Sequence, residues 1–160
     1  MFDITLICMG KLKEKFYLSA AAEYEKRLKG YCNFKLIELP EVRLPDEPSV
    51  AEIAAGLDKE AESILAKMPK GCWFCIFTPE GRLLSSPDLA EKLKDVKLSG
   101  RSSACFLIGS SFGIAPKIKQ MADFKLSMSP MTFPHHLARI MVMEQIYRAE
   151  AIQAGSKYHK

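Results

Sequence analysis

The residues best suited to chemistry gather near the end of the chain. His135, His136 and Arg139 stand where a long helix should begin, and His135 and Arg139, four apart, share one of its faces. A helix start offers free amides and a positive end, so this group could hold a phosphate or position a base. Spacing alone equally allows a histidine capping the helix and an arginine on a solvated face. Glu144 and Arg148 are also four apart, in the favourable order for an ion pair, which points to structure before catalysis. The last six residues, Gly155 to Lys160, hold two lysines, Tyr158 and His159, and no acid. Cys72 and Cys75 form a CxxC, but inside an apolar strand their thiols should face opposite ways, which argues against redox or metal use.

The elements that must position these groups follow from pattern. Apolar runs at Asp3–Met9, Asn33–Leu39, Cys72–Phe77, Ser103–Ile108 and Phe124–Met128 read as strands. Between them, Glu14–Lys29 is an amphipathic helix with Phe16, Ala20, Tyr24 and Leu28 on its stripe. Val50–Met68 is another, carrying Ile53, Leu57, Ala61, Ile64 and Leu65. Ser86-Pro87 reads as an N-cap with proline at the first helical position, opening a helix to about Lys94. Pro116 starts a short helix to about Met121, and Pro134 opens the long one to about Ala154. Strand–helix alternation of this kind implies an α/β fold: one domain over residues 1–160, with a mostly parallel sheet and helices on both faces.

In such a sheet, ligands sit at the carboxyl ends of the strands. Three loops leave those ends: Thr78–Gly81, where Pro79-Glu-Gly81 should turn the chain, Gly109–Ala115 and Ser129–Phe133. The middle loop is rich in small residues that let backbone approach a ligand. It is neither a GxGxxG fingerprint nor a phosphate-binding P-loop, which disfavours a dinucleotide-dependent oxidoreductase. The third loop is stiffened by Pro130 and Pro134, which suits a flat heterocycle read by backbone groups, though a stiff connector would look the same. The long helix is apolar nearly all round, which calls for cover on more than one side and so for a two-fold dimer.

Bulk properties agree with a cytosolic globular protein. Net charge is +4, from 23 basic and 19 acidic residues, which permits a nucleic-acid partner without requiring one. Five cysteines, an odd number, are expected as free thiols in a reducing compartment. No apolar run approaches the ~20 residues of a membrane span, and the start lacks the marks of a signal peptide, so no membrane partner is expected.

Met131-Thr-Phe-Pro-His135, then Arg139, Glu144-Gln-Ile-Tyr-Arg-Ala149 and Tyr158-His-Lys160 occur in order behind Leu36-Ile-Glu-Leu-Pro40 and Leu107-Ile-Gly109. This set resembles the SPOUT-class methyltransferases that act on N3 of a pseudouridine in bacterial large-subunit ribosomal RNA. The resemblance implies S-adenosylmethionine held in three loops that cross as a C-terminal trefoil knot, and a homodimer packed through the last helix. It places the cofactor at Phe77, Gly109, Ser110, Ser129, Pro130, Met131, Thr132, Phe133 and Pro134, with Gly113 lining the pocket. The catalytic and RNA-contacting positions fall on His135, Arg139, Tyr158 and His159. Of these, His159 is the first candidate for a general base and His135 the second; Arg139 would hold a phosphate or stabilise ring oxygens. Two departures stand out. Ser110 replaces a second glycine, and Phe77-Thr78 replaces Leu-Asp, removing a carboxylate near the cofactor's polar end.

Overall fold

The computed structural model describes residues 1–160. In chain order the elements are β1 (Asp3–Met9), α1 (Lys15–Leu28), β2 (Asn33–Leu39), α2 (Val50–Lys67), β3 (Trp73–Leu83), α3 (Ser86–Leu98), β4 (Ser103–Ile108), α4 (Pro116–Met121), β5 (Phe124–Ser127) and α5 (His135–Gln153). The five strands make one sheet in the order β2-β1-β4-β3-β5, parallel at every pairing. The expected α/β architecture is therefore present.

Alternation along the strands splits the core into two layers. Ile4, Leu6, Cys8, Trp73, Cys75, Ala104 and Phe106 pack with residues of α1, α3 and α5. On the other face Ile7, Met9, Phe74, Ile76, Cys105 and Leu107 pack with α2 and α4. All six residues of β4 are buried, as a central strand covered on both faces requires. Cys72 and Cys75 fall in opposite layers, and all five cysteines are free and buried. Burial pushes the Cys75 thiol up, away from the thiolate that redox or metal chemistry needs.

Four details differ from the sequence reading. The cap of α3 is Ser85, whose side chain accepts from the Asp88 amide in a capping box, and the helix runs on to Leu98. The buried stripe of α1 carries Ala21 and Leu28 with Tyr17 and Tyr24 packed beside them, while Phe16 is 66% exposed. Strand β3 does not end at Phe77. Phe77 and Arg82 both pair with Leu126, so Thr78–Gly81 bulges out of a strand that then resumes. Gly81 makes this possible: a Cβ there would lie 2.6 Å from the Leu126 carbonyl carbon.

The fourth difference concerns α5. It packs between α1 and α3 as well as on the sheet, so much of its apolar girth is covered within the chain. Lys97 of α3 bonds both Glu150 carboxylate oxygens at 2.8 Å, and Ser86 bonds Gln145 at 2.5 Å. All-round apolarity of this helix is thus not by itself a sign of a partner.

Candidate active site

A cleft of about 310 Å³ opens at the carboxyl ends of β3, β4 and β5. The β3 bulge, the loop after β4 and the loop after β5 all border it. Phe77, Gly109, Ser110, Gly113, Ser129, Pro130, Met131, Thr132 and Phe133, all positions at which the resemblance places a cofactor, line it together. Pro134 instead borders an adjoining hollow with Glu14, Tyr17 and His136, and His135 lines both spaces.

The loops hold their shape through internal bonds. The Met131 amide donates to Ser129 Oγ at 3.0 Å, so that amide is not free to read a ligand. Gly113 N donates to Ser110 O at 2.9 Å, closing the middle loop. Gly109 is packed so closely that a Cβ would lie 2.6 Å from Gly113 O. Ser110 turns its hydroxyl to Glu60 Oε1 at 2.7 Å, and the other oxygen of this buried carboxylate accepts from Val42 N at 3.0 Å. Thr78 is 5% exposed and lines the cleft, yet its Oγ1 has no hydrogen-bond partner. An orphaned buried hydroxyl in a cleft wall is satisfied when a polar ligand group meets it. By that criterion the residues present fit a polar cofactor.

The four expected catalytic residues are not brought together. His135 lines the cleft with its ring 4.5 Å from that of His136. His136 lies 3.7 Å from Glu14, and burial, reinforced by the charges of His135 and Arg139, lowers its pKa. Arg139 is 1% exposed and turns inward. Its guanidinium meets Glu38 Oε2 at 2.6 Å, Gly10 O at 2.8 Å and Met9 O at 3.4 Å. Held this way, it cannot reach a phosphate without leaving those partners.

The tail folds back onto the far half of α5. Tyr158 donates to Glu144 Oε2 at 3.0 Å, and its ring lies under Arg148 at 4.6 Å and against Tyr147 at 4.8 Å. Arg148 and His159 Nδ1 are 3.2 Å apart. Arginine is only a donor, so Nδ1 accepts and the neutral ring carries its proton on Nε2. No tail residue lines the cleft of its own chain.

The family model described as "Predicted SPOUT methyltransferase" matches residues 2–159. The chain belongs to the SPOUT methyltransferase family. Among its relatives, the ribosomal RNA large subunit methyltransferase H of Clostridium novyi (strain NT) is 42% identical over 158 residues, 99% of either chain. That of Streptococcus thermophilus (strain CNRZ 1066) is 44% identical over 157 residues, 98% of this chain and 99% of the relative. Of solved structures, a probable methylase family protein from Haemophilus influenzae Rd KW20 superposes with a TM-score of 0.51 at 16% identity, covering 99% of this chain and 70% of that one. The tRNA (m1G37) methyltransferase from Aquifex aeolicus gives 0.51 at 13% identity, with 91% and 69% covered; at such identities the likeness is one of fold.

Within this SPOUT site, three residues escaped the sequence reading: Glu38, Glu60 and Lys119. Glu60 had a visible signal, a carboxylate one position from Ala61 on the apolar stripe of α2. Glu38 stood within the Leu36–Pro40 stretch but with no role attached, and Lys119 had no signal, because its partner lies on another element. The Ser110–Glu60 bond also accounts for the serine. A hydrogen bond to a buried carboxylate contributes roughly 1.5 kcal/mol, so Ser110→Ala should lower stability by about that much in urea titration, and Glu60→Ala should leave no further cost for Ser110→Ala.

Proposed function

We propose that this SPOUT enzyme uses S-adenosylmethionine to methylate N3 of a pseudouridine in large-subunit ribosomal RNA, acting as a homodimer whose sites combine two chains. The single observation that carries this reading is the convergence of three separate loops, with all but one of the expected cofactor residues, on one cleft. We read those loops as the crossings of a trefoil knot.

The cofactor supplies an electrophilic methyl group on a sulfonium; the chain's residues must hold the target and manage one proton. N3 of a uracil ring carries a hydrogen, so a base near neutral pKa is needed. His135 is the histidine placed at the cleft in the chain itself. His159 can take this part only when supplied by a partner chain and freed from Arg148, and Tyr158 offers it a neighbouring stacking face. Arg139, tied to Glu38 and the Met9–Gly10 carbonyls, holds the start of α5, and with it His135, against the end of β1.

The dimer reading rests on a second groove. Leu84, Leu89, Leu126, Met128, Ile140 and Met141 line about 530 Å³ between α3, α5 and β5. One end shares Phe77, Ser127 and Met128 with the cleft; the other reaches Tyr24 and Glu144, where the tail is anchored. A two-fold axis through the groove exchanges its ends and brings one chain's tail to its partner's cleft. The conclusive assay offers labelled S-adenosylmethionine with free ribosomal RNA, isolated subunits and ribosomes, then maps the label. Methyl at N3 of a large-subunit pseudouridine is the expected product; label on another nucleotide, or on none, would refute the proposal.

A further inference from the structure

The cleft has one end at which charge is concentrated. Of the residues lining it, Lys119 alone bears a permanent charge. Its Nζ donates to Glu80 Oε1 at 2.7 Å, which leaves two of three ammonium hydrogens for other partners. Glu80 sits on the β3 bulge, two residues beyond Thr78. The Lys119 ammonium holds the Glu80 carboxyl down at about 2; the Thr78 hydroxyl lies near enough to add to this without reaching hydrogen-bond geometry. Elsewhere in the lining the serine hydroxyls are occupied: Ser110 on Glu60, Ser127 on the Ser129 carbonyl, Ser129 under the Met131 amide. The buried hydroxyl without a partner and the cation with spare donors both line the cleft, and both lie beside Glu80.

The geometry points to Thr78 and Lys119, backed by Glu80, as the subsite that takes the amino-acid end of the cofactor. This rests on the reading of the cleft as the cofactor site. That end is a zwitterion, and this group is complementary to it: the Lys119 ammonium faces a carboxylate, while the Thr78 oxygen and the Glu80 carboxylate suit an ammonium. Glu80, on the bulge beyond Thr78, does not itself line the cleft but is bonded at 2.7 Å to the Lys119 that does. The apolar part of the lining, Phe77, Ile108 and Ile114 with loop backbone, is left to the nucleoside.

The test compares two ligands on the full chain by calorimetry. S-adenosylhomocysteine carries the amino-acid end, and 5′-methylthioadenosine is the same thioether nucleoside without it. Lys119→Met and Thr78→Val should each weaken S-adenosylhomocysteine about tenfold, as expected for a lost charge-assisted hydrogen bond, and leave 5′-methylthioadenosine within about twofold. Lys119→Arg, which keeps the charge, should recover part of the loss. Thr78→Val should not lower the thermal midpoint, since the hydroxyl has no partner within the protein to lose. Equal losses for both ligands, or no loss for S-adenosylhomocysteine, would overturn the subsite while leaving the cofactor reading intact. Binding of neither ligand by the wild-type chain overturns the cofactor reading itself, and the subsite falls with it.

Discussion

Replacing Glu38 with alanine should destabilise the protein by about 3 kcal/mol, the low end of what breaking a buried ion pair costs. The low end applies because the two partners differ: the Arg139 side chain is 1% exposed, that of Glu38 28%. Without the carboxylate, a guanidinium with no route to water keeps only two carbonyls, Gly10 at 2.8 Å and Met9 at 3.4 Å. Its Nε already lacks a partner. Glu38 also accepts from Leu12 N at 2.8 Å, so its loss loosens the β1–α1 turn as well. Urea denaturation should show the loss as a lower midpoint with an unchanged slope. The double variant Glu38→Ala/Arg139→Met removes both charges and should recover much of the stability, because no buried charge is then left unpaired. A cost for Glu38→Ala below about 1 kcal/mol would mean the pair behaves as an exposed one. The same variants decide what Arg139 does. If it acts by holding the α5 start, Glu38→Ala and Arg139→Ala should impair methylation alike, and the salt dependence of RNA affinity should not change. If Arg139 contacts a phosphate, Arg139→Ala alone should flatten that dependence by about 0.7 to 0.9 in the log–log slope.

This pair also marks where the sequence stops being legible. The strands at Cys72–Phe77 and Ser103–Ile108 could be read because a strand buried on both faces needs a continuous apolar run, which few other elements show. The cleft could be placed because parallel strands aim their carboxyl ends at one side. What could not be read are features made by distant partners. Arg139 meets Glu38 across 101 residues and Ser110 meets Glu60 across 50. Neither spacing has a periodic signature, so an arginine four residues from a histidine looked like a solvated or phosphate-binding group. The bulge at Thr78–Gly81 was hidden for another reason. Pro79 and Gly81 do turn the chain out of the sheet, but only the Leu126 backbone, which pairs with residues on both sides, shows that the strand resumes. The cover over α5 has no signature in the sequence, because it comes from α1 and α3 lying on the same face of the sheet as the last helix.

Deleting Tyr158–Lys160 should lower single-turnover methylation on the order of a hundredfold or more, the loss expected when a proton-handling group and its neighbour leave a site. It should leave the affinity for S-adenosylhomocysteine unchanged. The contrast follows from where the tail sits. It is bonded to Glu144, Tyr147 and Arg148 of its own chain, and none of it lines the cleft. The helix beneath it has 19 residues and is therefore about 28 Å long, with His135 at the far end. Within one chain the tail does not reach the cleft, so on the shared-site reading the loss of rate passes through a second copy. Mixing tests this directly. A tail-deleted chain keeps an intact cleft, whereas Gly109→Ala, which drives a Cβ to 2.6 Å from Gly113 O, spoils the cleft and keeps the tail. Each alone should be nearly inactive. Random exchange makes half the dimers mixed, and each mixed dimer has one complete site of two, so about a quarter of the wild-type rate should return. Full activity in the tail-deleted chain would remove the tail from the mechanism. Inactive mixtures of chains shown to exchange would remove the shared site and leave a tail whose part is to brace its own helix.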